Sequence, residues 1–252
     1  FDAKGARFLV SSVRRGRVCE ILVRGRARVT ALPTPDSSWG IFALGVDSVR
    51  RTIWATTAAM AMAAHYAPAD SGRSALLKLD SRTGRLQRRF EPPDSGAHAL
   101  GDLTIGTTGT VYVSDGLGSG VYALDPGSDA LRVLVPAGVL VSPQTPALSA
   151  DGATLFVPDY AIGIAAVEIA TGAVRWLANS DSLTLTGIDG MYRVGEDIIA
   201  VQNGRDPIRI VRLTLAGSFR RGTDARIHVQ GTLARDHTPA TTPHRALYSR
   251  SR

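Results

Sequence analysis

Short runs in which hydrophobic and polar positions alternate dominate this chain. They are clearest from Thr104 to Pro136, where Val111, Val113 and Val121 alternate with small or polar residues. Turn residues interrupt these runs about every six to ten positions, as expected for strands joined by tight turns. Nothing in the stretch has the helical period of about 3.6 residues. The pattern therefore predicts four consecutive antiparallel strands.

The four-stranded unit repeats along the chain. Its second strand recurs as FLVSS, IWATT, VYVSD, LFVPD and IIAVQN, ending at Ser12, Thr57, Asp115, Asp159 and Asn203. The steps between these ends are 45, 58, 44 and 44 residues, and the long step contains an insertion, roughly residues 58–74. A helix-free unit of about 40–50 residues with four strands is typical of a β-propeller blade. We therefore predict an all-β fold, a β-propeller of four-stranded antiparallel blades.

A single propeller domain is predicted over residues 1–235, since 252 residues suit one all-β domain. The predicted blades span residues 1–35, 36–95, 96–138, 139–180 and 181–222, and a further blade starts at 223–235. Residues 236–252 have no alternation and are rich in Pro, Thr and Arg, which predicts an atypical, poorly ordered tail.

The insertion in the second blade has two interpretations. Its sequence, AAMAMAAHYAPADSG, is apolar at first and then contains Pro and Gly. The apolar part favours a loop packed over a neighbouring blade. The alternative is a lid at the mouth of the central channel, where propeller loops usually carry specificity.

The formal net charge of +7 comes almost entirely from arginine, because Lys4 and Lys78 are the only lysines. The arginines occupy turns and alternate strand positions of different blades, without the interleaved aromatic residues that stack nucleic-acid bases. We therefore expect a solvated basic surface and no nucleic-acid partner.

Two further features limit the class of protein. The longest apolar stretch, residues 53–64, is too short to cross a bilayer as a helix, so we expect no membrane span. Cys19 is the only cysteine, which excludes an internal disulfide and favours a small buried hydrophobic residue. No signal peptide is visible, but the chain opens inside a blade, so the compartment is left open, as is the oligomeric state.

Asp115 and Asp159 occupy the same position of the repeat, each at the end of a second strand. An aspartate there is expected to fix the following loop by Asx-type hydrogen bonds to main-chain N–H groups. Its recurrence argues against a shared catalytic role.

Two segments, residues 149–172 and 185–215, resemble bacterial members of the regucalcin/gluconolactonase superfamily, the senescence marker protein type of six-bladed propeller. Residues 8–21 and 101–115 are consistent with that resemblance. It implies six blades, of which this chain supplies about five and is incomplete at both ends.

The resemblance also implies one divalent cation (calcium, zinc or manganese) on the propeller axis, held by a Glu, two Asn and an Asp. Asp189, in the run Gly187-Ile188-Asp189-Gly190-Met191, matches the family Asp and lies 14 residues before Asn203. The equivalent positions in the two preceding blades are Thr145 and Gly101, where the family has Asn. The Glu has no counterpart in this sequence. The resemblance thus implies Asp189 as metal ligand and catalytic carboxylate.

Polar residues beside these positions are candidates for substrate binding. They are Asp102, Gln144, Thr145, Asn203 and His98. Adjacent strand residues point to opposite faces of a sheet, so Asp102 can reach the axis only through a local bulge. Gln202 and Asn203 fit a turn as well as they fit the lining of a channel.

Two functions therefore remain open. The first is a cation-dependent hydrolase that opens a lactone or related ester, with a small-molecule substrate in the central channel. The second is a non-catalytic propeller that has lost the metal ligands and serves as a binding scaffold. Gly101 and Thr145, at positions where ligands are needed, favour the second.

Overall fold

The computed structural model describes residues 1–24, 26–33, 39–178, 184–195, 197–216 and 228–233. These residues form five antiparallel sheets, one of three strands and four of four strands. Within every sheet the strands pair in chain order, each with the next one along the chain. The predicted all-β propeller fold is confirmed, with five blades among the described residues. The sixth blade that the family resemblance implies has no counterpart among them.

The strands of the first three blades follow the predicted repeat. They are β1 (Arg7–Ser12), β2 (Arg17–Arg24), β3 (Arg26–Ala31), β4 (Gly40–Asp47), β5 (Thr52–Ala58), β6 (Ser74–Asp80), β7 (Leu86–Phe90), β8 (Leu100–Ile105), β9 (Val111–Asp115), β10 (Val121–Leu124) and β11 (Arg132–Val135). β1–β3 form the first sheet, β4–β7 the second and β8–β11 the third.

The last two blades complete the described chain. Their strands are β12 (Ala147–Leu148), β13 (Thr154–Asp159), β14 (Gly163–Glu168), β15 (Val174–Trp176), β16 (Ile188–Val194), β17 (Asp197–Gln202), β18 (Arg209–Ala216) and β19 (His228–Leu233). β19 lies in the segment assigned to the start of a further blade, residues 223–235. It pairs with β18 as the fourth strand of the fifth sheet, so it completes that blade. The predicted tail, residues 236–252, lies outside the described residues.

The hydrophobic core lies between the blades. Each of its four clusters takes side chains from two neighbouring blades, joining the first to the second, the second to the third, and so on to the fifth. Phe156, for example, is 1% exposed and belongs to the same buried cluster as Ile188 and Met191 of the next blade. Stacking therefore buries faces that no single blade could bury alone.

A large side chain opposite a small one recurs at the blade interfaces. Tyr112 of β9 pairs with Ala123 of β10, and Phe156 of β13 pairs with Ala166 of β14. All four are buried, because an alanine leaves room for the aromatic ring.

The repeated aspartates fix the loops as the sequence predicts. Oδ1 of Asp159 accepts N–H bonds from Ala161 and Ile162 at 3.0 and 3.1 Å, and Oδ2 accepts bonds from Val141 and Ser142 at 2.6 and 3.0 Å. Since the carboxylate is fully buried, these four donors compensate for its lost hydration.

The insertion packs on both neighbouring blades. The N–H of Ala64 donates to the carbonyl oxygen of Arg14 in the first blade at 2.7 Å, and the N–H of His98 in the third donates to the carbonyl of Gly72 at 2.8 Å. Ala59 and Ala63, in the apolar part of the insertion, are buried. This matches the packed-loop interpretation. The 3-10 helix at Pro68–Asp70 lies within it, and no helix among the described residues has the length and hydrophobicity needed to cross a membrane.

Candidate functional site

Bulges in the first strands of three blades set the geometry of the site. Pairing of β8 with β9 shifts between Leu100 and Asp102, and pairing of β16 with β17 shifts between Ile188 and Gly190. Gly101 and Asp189 are therefore the extra residues of their bulges, at equivalent positions of the repeat. A third shift occurs in β4 between Ile41 and Leu44. A bulge redirects side chains locally. The bulge that Asp102 needs in order to reach the axis is therefore present in β8.

Four of the predicted site residues form one group, which we call the axial cluster: Asp102, Thr145, Asp189 and Asn203. The Thr145 hydroxyl donates to the main-chain oxygen of Asp189 at 3.1 Å, and Asn203 Nδ2 donates to Asp189 Oδ2 at 2.8 Å. Asp102 lies close enough for the Thr145 hydroxyl and the Asp189 charge to affect its pKa. The cluster thus draws on three successive blades.

Asp102 is the member with the most perturbed chemistry. Burial raises the pKa of its carboxyl to about 6, hydrogen bonding to Thr145 opposes that rise, and the negative charge of Asp189 adds to it. The Thr145 hydroxyl has a single proton to share between Asp102 and the Asp189 carbonyl. A carboxyl with a pKa near 6 changes its charge close to neutral pH.

Among the described residues, no ion pair neutralises the carboxylates of the axial cluster. The salt bridges among the described residues involve other acids, and neither Asp102 nor Asp189 belongs to one. The described residues also contain no group of three or more His, Cys, Asp or Glu side chains placed to hold a metal ion. The cluster offers two carboxylates, a hydroxyl and an amide, which are oxygen donors suited to calcium or manganese rather than zinc.

A cavity adjoins the cluster. Its volume is about 400 Å³, and its wall contains one member of the cluster, Thr145, together with parts of β8, β12 and β16. The volume is at the lower end of the range for small-molecule sites.

Two predicted site residues lie apart from the axial cluster. The side-chain amide of Gln144 donates hydrogen bonds to the hydroxyl and to the main-chain oxygen of Ser142. His98 is 6% exposed and lies in a separate buried network, where its Nδ1 is 2.6 Å from Asp115 Oδ2 and its Nε2 is 3.1 Å from Asp94 Oδ1.

The network around His98 is a feature that the sequence did not reveal. Tyr122 completes it, with its hydroxyl 3.5 Å from His98 Nδ1 and its ring edge-on to the imidazole. The repeat position of Asp115 was visible in the sequence, but nothing there indicated that a histidine 17 residues earlier would be its partner.

A close main-chain contact holds Asp189 and Asn203 in place. Gly187 has φ +73°, and a Cβ built there would lie 2.9 Å from the Gly204 Cα. The two residues also join through a 3.1 Å hydrogen bond from the Gly204 N–H to the Gly187 carbonyl. Glycine is therefore required for both its left-handed conformation and its lack of a side chain.

We expect Gly187→Ala to lower the free energy of unfolding by about 2–4 kcal/mol, since strain at positive φ and a main-chain clash add together. Gly195→Ala is the matched control, because Gly195 has φ +64° with open space around its Cα. Urea unfolding gives the loss in free energy of unfolding for each variant, and the difference between the two losses measures the cost of the clash. Equal losses would show that the contact at Gly204 contributes nothing.

The fold and the axial cluster define a β-propeller with a polar site where its first strands converge. No family model matches the chain, and a search of curated proteins returned no match to its sequence. Membership of the regucalcin/gluconolactonase superfamily therefore stays a prediction.

Solved structures share the fold. The chain is similar to a chain in the crystal structure of a nidogen/laminin complex, with a TM-score of 0.61 and 14% identity over 86% of this chain and 74% of that one. It is also similar to virginiamycin B lyase from Staphylococcus aureus (TM-score 0.60, 16% identity, 88% and 69% covered) and to a streptogramin B lyase (TM-score 0.61, 15% identity, 86% and 65% covered). At these identities the likeness is one of fold alone.

Proposed function

We propose that this protein is a binding propeller that takes the positively charged group of a small ligand at the axial cluster. The observation that carries the proposal is the pair Asp102 and Asp189, two carboxylates brought together without a salt bridge among the described residues to neutralise them. A bound cation would favour the charged form of both acids and relieve the cost of burying Asp102.

The size of the site supports a small ligand. The cavity of about 400 Å³, which reaches the cluster at Thr145, would take the uncharged body of an organic cation, and a divalent metal ion is the smallest alternative. Asn203 and Thr145 would orient the bound group through hydrogen bonds.

Thermal melts at pH 8 test the proposal, with millimolar calcium, manganese, zinc or n-butylamine added separately and n-butanol as the uncharged control. A cation at about one hundred times its Kd should stabilise the fold by about 2.7 kcal/mol, or roughly 5–10 °C in Tm. Asp189→Ala should abolish that shift.

Asp80→Ala is the control variant, because the Asp80 carboxylate accepts its hydrogen bonds, among the described residues, within its own turn, from Arg82 and Thr83, and lies outside the wall of that cavity. It should keep the full cation response. A propeller whose Tm responds to none of the four cations, or responds equally after Asp189→Ala, would not have this function.

A second candidate is a divalent-cation-dependent hydrolase of a lactone or related ester. The observation that favours it is the pKa of about 6 at Asp102, which suits a general base near neutral pH. Asp189 and Asn203 would hold the cation, which when bound polarises the substrate carbonyl, and Asp102 would accept the proton of the attacking water.

Gly101 provides a gain-of-function test of this second candidate. A Cβ built at Gly101 meets no atom closer than 3.9 Å, so the position has space for the Asn that the family resemblance implies. Gly101→Asn should raise calcium or manganese affinity about tenfold, measured by calorimetry, if the axial cluster is a degraded metal site. Unchanged affinity would leave the binding propeller as the function.

A further inference from the structure

A second cavity lies between the second and third blades, away from the axial cluster. Its volume is about 410 Å³, and its wall includes Arg50, Trp54, Lys78, Arg88, Phe90 and Asp125. None of these residues belongs to the axial cluster, so a ligand of this cavity is independent of the proposed function.

Lys78 departs from the pattern of the other blades. It pairs with Trp54 across β5 and β6, as Ala123 pairs with Tyr112 and Ala166 with Phe156 in the next two blades. A lysine therefore stands where its counterparts are buried alanines. A charged side chain at an interface position costs desolvation energy unless a partner compensates it.

The other charges around the cavity are already paired. Arg50 binds Asp47 at 2.9 Å, Arg132 binds Asp125 at 2.7 Å, and Arg88 binds Asp129. Lys78 has no acidic partner among the described residues, and its ammonium contacts the Trp54 ring at 5.7 Å from the centroid. One positive charge therefore remains unmatched in this part of the wall.

Two aromatic rings lie in the same wall, with Lys78 over Trp54 and Arg88 over Phe90. Trp54 and Phe90 lie with ring centroids 6.0 Å apart, and both are more than nine-tenths buried. An unmatched ammonium beside aromatic rings complements a ligand with an anionic head and an apolar body. We propose that this cavity binds a small organic carboxylate, with Lys78 as its counter-ion.

Selective lysine chemistry tests the proposal, because Lys4 and Lys78 are the only lysines of the chain. The full chain is acetylated with and without benzoate, and peptide mass spectrometry gives the rate at each lysine. At about ten times its Kd, benzoate should slow acetylation of Lys78 about tenfold, since only the unoccupied fraction reacts. The rate at Lys4, which donates to the Ser48 carbonyl at 2.9 Å, should not change.

Calorimetry with variants provides a second readout. Lys78→Met keeps the apolar stem and should weaken benzoate binding at least about tenfold, whereas Lys4→Met should leave it unchanged. Benzamide, which lacks the charge, should bind wild-type protein at least about tenfold more weakly than benzoate. Absence of benzoate binding, equal protection of both lysines, or equal affinity for benzamide would each overturn the proposal.

Discussion

Replacing Asp115 with alanine is expected to lower the free energy of unfolding by about 3–5 kcal/mol. The carboxylate is fully buried, and its Oδ1 accepts N–H bonds from Ala99, Leu117 and Gly118 at 2.8, 3.1 and 2.8 Å. Its Oδ2 is 2.6 Å from His98 Nδ1. Alanine leaves these donors without an acceptor inside the protein, which costs more than the bonds themselves contribute.

Chemical denaturation of two further variants defines the origin of this loss. Asp115→Asn keeps one acceptor oxygen and should lose roughly half as much stability as Asp115→Ala. Asp129→Ala removes an exposed aspartate whose carboxylate forms a surface ion pair with Arg88, and should cost less than about 1 kcal/mol. A loss below about 1 kcal/mol for Asp115→Ala would mean that water satisfies these donors.

Asp102→Asn is expected to have the opposite effect and to raise the free energy of unfolding by about 1–3 kcal/mol at pH 8. The folded protein holds the pKa of Asp102 at about 6, above its ordinary value of 3.8. As pH rises through this window, the unfolded chain ionises first, so the carboxyl increasingly destabilises the fold. Asparagine is neutral at every pH and removes that penalty.

The pH dependence of the free energy of unfolding tests the sign of the Asp102→Asn effect. Denaturant unfolding of wild type and Asp102→Asn should differ most above pH 6 and should converge below about pH 3, where Asp102 is protonated in both the folded and the unfolded state. Asp189→Asn should give a smaller gain at pH 8, because burial contributes more than Asp189 to the raised pKa. A pH-independent difference would show that packing, and not charge, is responsible.

Asp102→Asn should also weaken cation binding at the axial cluster. A site that gains stability when a functional carboxylate is removed is one in which stability has been sacrificed for binding. Stability and affinity measured on Asp102→Asn should therefore change in opposite directions.

The fold was predictable because its information is local. Alternation such as Val111, Val113 and Val121, and a turn every few residues, specify strands without reference to distant parts of the chain. The equal spacing of Asp115, Asp159 and Asn203 then identifies equivalent positions in successive blades. Once the family resemblance had singled out Asp189, this spacing identified Thr145 and Gly101 as the equivalent positions of the two preceding blades.

The rest of the site depended on contacts that spacing does not encode. The bulge at Gly101 follows from how β8 pairs with β9, and without it Asp102 belongs to the wrong face of the sheet. His98 was assigned by its closeness in sequence to β8, yet burial and a partner 17 residues away place it in a structural network. Lys78 stood out only once its cross-strand partner, Trp54, was known.

The packed insertion of the second blade affects the local unfolding of its neighbours. In repeat architectures each unit usually contacts only its neighbours, so units can open separately. Here one loop is hydrogen-bonded to Arg14 in the first blade and to His98 in the third, two blades that are not adjacent along the chain. Local opening of either blade must release this loop, and hydrogen exchange at the amides of Ala64 and His98 would then follow a shared event. We therefore expect the first three blades to open as a single cooperative unit.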